Sequence, residues 1–70
     1  MSDISVTVNG KQKQYHQDST INDVLILHNL VDTPVAVEKN RQIIKRTDYS
    51  TTILQDGDVI EILRFVGGGL

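Results

Sequence analysis

Apolar and polar residues alternate along Ile4-Ser5-Val6-Thr7-Val8-Asn9, the period-two pattern of a strand with one buried face. Asn9-Gly10 follows, a pair that tolerates the positive φ angles of a two-residue hairpin turn. Residues 11–15 form the expected returning strand, polar apart from Tyr15 and therefore placed at a sheet edge, where its lysines discourage further pairing. The period then changes. Ile21, Val24, Leu25 and His28 stand at i, i+3, i+4 and i+7, one face of a helix, while Ile26 and Leu27 fall off that stripe. Thr20 is the expected N-cap, with Asp23 at the capping-box position three residues on. Asn29 is placed to end the helix in the left-handed conformation, Leu30 and Val31 to tuck under its end, and Pro34 to prevent continuation.

Val35-Ala36-Val37-Glu38 reads as a third strand, Asn40-Arg41 as a tight turn, and Ile43-Ile44-Lys45 as a short return. Residues 47–51 are turn-like with room for a 3₁₀ piece, and Gln55-Asp56-Gly57-Asp58 is a second turn with Gly57 as its positive-φ residue. Residues 59–66 make the final and longest expected strand, which runs straight into Gly67-Gly68-Gly69-Leu70. Two hairpins flank one helix, which is an α+β layout with the helix on one face of a mixed sheet. One amphipathic helix held by four or five strands is the β-grasp, ubiquitin-like arrangement, with the apolar last strand central beside the first. A β-grasp domain over residues 1–66 and a flexible glycine tail over residues 67–70 are expected.

Composition narrows the function more than the fold. Seventy residues make one small domain, with a core that must be aliphatic because the chain has only two tyrosines and one phenylalanine. There is no cysteine, hence no disulfide and no thiolate chemistry. A formal net charge of −2 argues against nucleic acid as a partner, and Lys11/Lys13 and Lys39/Arg41/Lys45/Arg46 read as solvated strand and turn faces. No segment approaches the ~20 apolar residues of a membrane span, and Met1-Ser2-Asp3 lacks the plan of a signal peptide, so the cytoplasm is the expected compartment and no membrane partner is expected.

Catalytic constellations are hard to assemble. His28, Asp23 and Ser19 sit along one short helix and do not converge on a point. Two histidines without cysteine or clustered acids make a poor zinc site; His16 is expected exposed and His28 half-buried at the helix end. Asp56, Asp58 and Glu61 have too few companions for a calcium loop and read as turn and strand residues. The glycines follow a strand but open no helix, so they do not cradle phosphate. What remains is the tail. Without Cβ atoms, glycines fit a narrow channel and leave a terminal carbonyl open to attack, and Gly67, Gly68 and Gly69 reach about 10 Å when extended.

With these pieces in order, the chain resembles the ThiS family, the ubiquitin-like sulfur carriers of thiamine (thiazole) biosynthesis. The resemblance rests on Val6-Thr7-Val8-Asn9-Gly10-Lys11, Thr20-Ile21-Asn22-Asp23-Val24-Leu25, Val35-Ala36-Val37-Glu38-Lys39-Asn40, and the stretch from Asp56-Gly57-Asp58 through the glycines, and it covers residues 4–69. The related MoaD carriers of molybdopterin synthesis are usually longer and carry a proline-containing segment before their glycines; this chain has neither feature. The resemblance implies a protein co-substrate rather than an enzyme. A ThiF-like adenylyltransferase would use ATP and Mg²⁺ to make an acyl-adenylate on Gly69, with no cofactor bound by the carrier itself. Sulfur from a cysteine desulfurase persulfide would displace AMP and leave a terminal thiocarboxylate, which a ThiG-like thiazole synthase would consume. A ubiquitin-like modifier or interaction module is the alternative from another class.

Two departures stand out. His28 occupies a position on the helix stripe where leucine packs better, and Leu70 covers the carboxylate of Gly69 until it is removed by a peptidase, unless it is a residue left by cloning. On the final strand, alternation gives two registers. If Ile60 and Ile62 face the core, Leu63 and Phe65 form an outer apolar patch beside Val66 and the tail, available for partner docking. This register is preferred because the opposite one would bury Glu61.

Overall fold

A computed structural model describes residues 3–65. Five strands form one mixed sheet in the order β2-β1-β5-β3-β4, where β1 is Asp3–Val8, β2 Lys11–His16, β3 Val35–Lys39, β4 Gln42–Ile44 and β5 Val59–Arg64. The single helix, α1, is Ile21–Leu27, and a 3₁₀ turn spans Arg46–Asp48. β5 lies at the centre, parallel to β1 and antiparallel to β3, as the pattern of residues predicts for a β-grasp domain. The polar strand β2 is an edge, and Tyr15 is its one buried residue.

Local chemistry explains each junction. Asn9 and Gly10 both adopt positive φ, 49° and 82°, so β1 returns as β2 through the tight turn that matches strand twist. Thr20 caps α1: its hydroxyl accepts from the Asp23 N–H while the Asp23 carboxylate accepts from the Thr20 N–H at 2.9 Å. At the other end His28 is the C-cap, and Asn29 takes φ of 58° where glycine is usual. The Leu30 N–H then donates to the Leu25 carbonyl and the Asn29 N–H to Ile26, the paired bonds of a Schellman ending. Leu30 packs against the core as that motif requires. Val31 does not tuck under with it and is exposed, because the ending brings in one apolar residue and the chain then turns outward.

The core lies between α1 and one face of the sheet. Val6, Val24, Val37 and Ile60 are fully buried, with Ile4, Val8, Tyr15, Ile21, Leu25 and Ile62 around them. The segment between β4 and β5 closes the open end. Tyr49 and Leu54 enter the core, and backbone bonds from Ile21 to Thr52 and from Leu54 to Ser19 tie this segment to the start of the helix.

The last strand is shorter than its apolar run. β5 stops at Arg64 and equals β1 and β2 in length rather than exceeding them. The cause is its neighbour. Phe65 lies opposite Pro34 and donates to the Pro34 carbonyl at 3.2 Å, but proline has no N–H to return the second bond of the pair. The ladder ends there.

Candidate functional site

β5 is held on both edges by its own backbone and by two asparagine side chains. Toward β1 the paired stretch is short, Thr7 with Val59 and Val8 with Ile60, and beside it Thr7 N–H donates to the Asp58 carbonyl and Asn9 N–H to the Ile60 carbonyl. There β1 turns away. The Asn9 side chain takes over the ladder, its Oδ1 accepting from the Ile62 N–H at 2.7 Å and its Nδ2 donating to the Ile62 carbonyl at 3.3 Å. A side-chain amide thus stands in for one more residue of a strand. On the other edge Asn40 accepts from the Val59 N–H and donates to the Asp58 carboxylate. Asp58 is buried, and it also accepts from the Gln55 N–H at 2.8 Å and lies 3.9 Å from the Lys39 ammonium. It holds the turn before β5 closed, as does Asp56, whose carboxylate accepts from the Ser5 N–H. These carboxylates are turn supports, in keeping with the reading of residues 55–58 from sequence.

Held this way, β5 has one register. Ile60 and Ile62 face the core, and Val59, Glu61 and Leu63 face outward, with Phe65 exposed just past the strand. Leu63 is 61% exposed and Phe65 58%, large values for apolar side chains so close together. Register places further outer residues beside them: Ala36 opposite Leu63, Glu38 opposite Glu61, and Ile43 of β4 on the far side of Glu38. The structure therefore brings Leu63 and Phe65 to one exposed face at the end of the last strand. Val66, Gly67, Gly68, Gly69 and Leu70 lie outside the described residues.

Among the described residues, the groups considered for catalysis do not converge. His16 pairs with Asp3 at 3.2 Å, both exposed at the end of the β1–β2 hairpin, while His28 is half-buried at the end of α1. The Asp23 carboxylate is engaged in the helix cap. Among the described residues no three or more His, Cys, Asp or Glu come together to hold a metal ion, and no helix is long and apolar enough to cross a membrane. Among the described residues the ionisable group visibly perturbed is the Tyr15 phenol, pushed up by burial, and it serves the core. Sequence reasoning had not found the Asn9 and Asn40 clamps. Their signal was present, since each asparagine sits in a tight turn next to a strand, but the side-chain direction depends on where β5 lies.

A sheet of this order with one helix packed on one face defines a small β-grasp, ubiquitin-like protein. The ThiS family model matches residues 6–69, and the chain belongs to the ThiS family. It is 44% identical over 63 residues to the sulfur carrier protein ThiS of Bacillus subtilis (strain 168), covering 89% of this chain and 96% of the relative. Its fold is similar to the crystal structure of the thiamine biosynthesis protein ThiS from Geobacter metallireducens, with a TM-score of 0.77 at 30% identity, covering 94% of this chain and all of that one. It is also 30% identical over 66 residues to a thiazole synthase of Paramagnetospirillum magneticum (strain ATCC 700264 / AMB-1), where it covers 94% of this chain but only 20% of that protein.

Proposed function

We propose that the chain is a sulfur carrier of thiamine biosynthesis, a protein co-substrate whose reactive group is the carboxylate of Gly69 once Leu70 is absent. The observation that carries this reading is the family match over residues 6–69, which includes the glycine triplet, together with the carrier name of the Bacillus relative.

The chemistry is an activation followed by a displacement. A free carboxylate is a poor electrophile because oxide is a poor leaving group. A ThiF-like adenylyltransferase holding ATP and Mg²⁺ joins AMP to the Gly69 carboxylate and releases pyrophosphate. Sulfur that a cysteine desulfurase has made available as a persulfide then displaces AMP, with reduction of the sulfur–sulfur bond by a thiol, and leaves a thiocarboxylate. ThiG-like thiazole synthase draws its sulfur from that group. The thiazole synthase that carries a segment similar to this chain supports direct contact between carrier and synthase, since there the two share one polypeptide.

The body contributes docking. Ordering three glycines in a partner's channel costs about 1–2 kcal/mol per residue in backbone entropy, and contacts made elsewhere must offset it. Leu63, Phe65 and Val66 are the proposed contacts, and the exposure of the first two beside the end of β5 supports that role.

Mass spectrometry tests the reading. Chain ending at Gly69 is incubated with the adenylyltransferase, ATP, Mg²⁺ and a sulfur donor. The expected product is heavier by the difference between sulfur and oxygen. No such product, with an adenylyltransferase shown to be active, would refute sulfur carriage, and an amide linked to a lysine would point instead to a protein modifier.

A further inference from the structure

The outer face of the sheet holds an arrangement that folding alone does not favour. Glu38 of β3 and Glu61 of β5 are direct cross-strand partners. The bonds Asn40 N–H to Val59 and Phe65 N–H to Pro34 fix the alternation of the ladder, so Glu38 and Glu61 form a hydrogen-bonded pair, with Cα atoms about 5.5 Å apart and both side chains on the outer face. Like charges in this relation are destabilising. Among the described residues the close contact between opposite charges is Lys39–Asp58, with His16 beside Asp3, and neither glutamate takes part in either. Arg41 borders the same shallow depression, of about 570 Å³, yet it is not paired with either carboxylate.

Apolar side chains stand beside this pair along the strands. Val59 and Leu63 flank Glu61 along β5, Ile43 lies beside Glu38 and is 76% exposed, and Phe65 continues the line toward the tail. The combination has a specific complement: one cationic side chain set among apolar ones. A guanidinium suits it best, because its planar fork of donors can bond two carboxylates at once and its weakly hydrated faces tolerate apolar neighbours.

We propose that Glu38 and Glu61 receive a basic side chain, an arginine by preference, from thiazole synthase, and that Val59, Leu63 and Ile43 form the apolar rim around it. This rests on the sulfur-carrier reading and adds to it the chemistry by which the synthase recognises the carrier's body. The pair repels itself in the free carrier and is relieved when the cation arrives, so charge complementarity sets which surface the carrier accepts.

Calorimetric titration of the full chain into thiazole synthase from the same organism tests this. The isosteric double variant Glu38→Gln/Glu61→Gln is expected to raise Kd about tenfold or more, and the wild-type affinity is expected to fall more steeply with added salt than that of the variant. Thermal melts give a readout that a structural role would move the other way: the double variant should melt no lower than wild type. The proposal is overturned if the double variant binds the synthase as tightly as wild type, or if wild type does not bind it. Thiocarboxylate formation by the adenylyltransferase is measured in parallel on wild-type and variant chains ending at Gly69. If both are converted while binding to the synthase is equal, the carrier reading stands and the inference about the glutamates falls.

Discussion

The two faces of β5 are built from the same kinds of residue and do opposite work. Inward, Ile60 is fully buried and Ile62 nearly so; outward, Val59, Leu63 and Phe65 leave comparable apolar area in water, with Glu61 among them. Burying an aliphatic side chain is worth about 1.5–3 kcal/mol, so the inner face holds the fold together. The outer face forgoes that gain in the free protein, and the docking role proposed for it would recover it on association. The comparison makes a claim that can be broken: substitutions on one face should change stability and leave binding to follow, and substitutions on the other should change binding and leave stability alone.

The largest effect is expected at the centre of the inner face. Ile60→Ala removes buried methyl groups between α1 and the sheet and should lower unfolding free energy by about 2–5 kcal/mol, a large part of what a domain this small possesses. Urea denaturation followed by circular dichroism measures it. A loss below about 0.5 kcal/mol, the range of ordinary surface changes, would mean that the faces have been assigned the wrong way round.

Phe65→Ala supplies the converse. Unfolding free energy should change by no more than about 0.5 kcal/mol, since the ring is exposed and lies beyond the last paired residue of β5. Binding to the adenylyltransferase or the synthase should weaken by about 2 kcal/mol, as for an aromatic anchor at an interface. A thermal melt that falls while the affinity holds would place Phe65 with the core instead of with the partners.

How far the sequence carried this comparison depends on which interactions were local. Alternation in β1, the Asn9-Gly10 turn, the Thr20/Asp23 cap and the Asn29 ending each involve neighbours in the chain, and each is found where the residues indicate. The preferred register of β5 also follows from one local fact, that Glu61 would otherwise be buried. What was not legible depends on distant partners. Tyr49 lies in a segment that reads as turn and Leu54 falls between the two expected turns, and they become core residues only because this stretch crosses the start of α1. The early end of β5 is set by Pro34, thirty-one positions from Phe65 in sequence but directly opposite it in the sheet. The facing glutamates were likewise invisible until the β3–β5 register was known. Of the expected site residues, Leu63 and Phe65 are seen on the outer face, Val66 lies outside the described residues, and the roles given to the glycines continue to rest on the family.

Asn9 tests whether the division between faces needs a clamp. Its amide supplies two hydrogen bonds to Ile62 at the point where β1 leaves β5. Asn9→Gly keeps the positive φ accessible and removes only those bonds, so the expected loss is about 1–2 kcal/mol. Hydrogen exchange gives the sharper signature: the Ile62 amide should exchange faster relative to Ile60, whose β1-side partner is backbone. Unchanged protection at Ile62 would show that β3 alone fixes the strand, and the aim of Leu63 and Phe65 would then need another cause.

The smallest effect concerns the edge strand, where the same inward and outward division is reduced to one residue. Tyr15 is the only buried position in β2, and burial pushes its phenol above its ordinary value of 10.0 because the anion loses hydration there. The sign follows from comparing the two states. In the unfolded chain the phenol ionises near its ordinary value, while in the folded chain it holds its proton to higher pH. The unfolded state therefore loses its proton first as pH rises. Stability is fully present below about pH 10 and declines as pH climbs from there through the raised folded value. Melts between neutral pH and this alkaline window should show that decline, and Tyr15→Phe, which has no proton to lose, should flatten it. An equal alkaline decline in both chains would show that the loss does not come from the single anchor by which β2 joins the core.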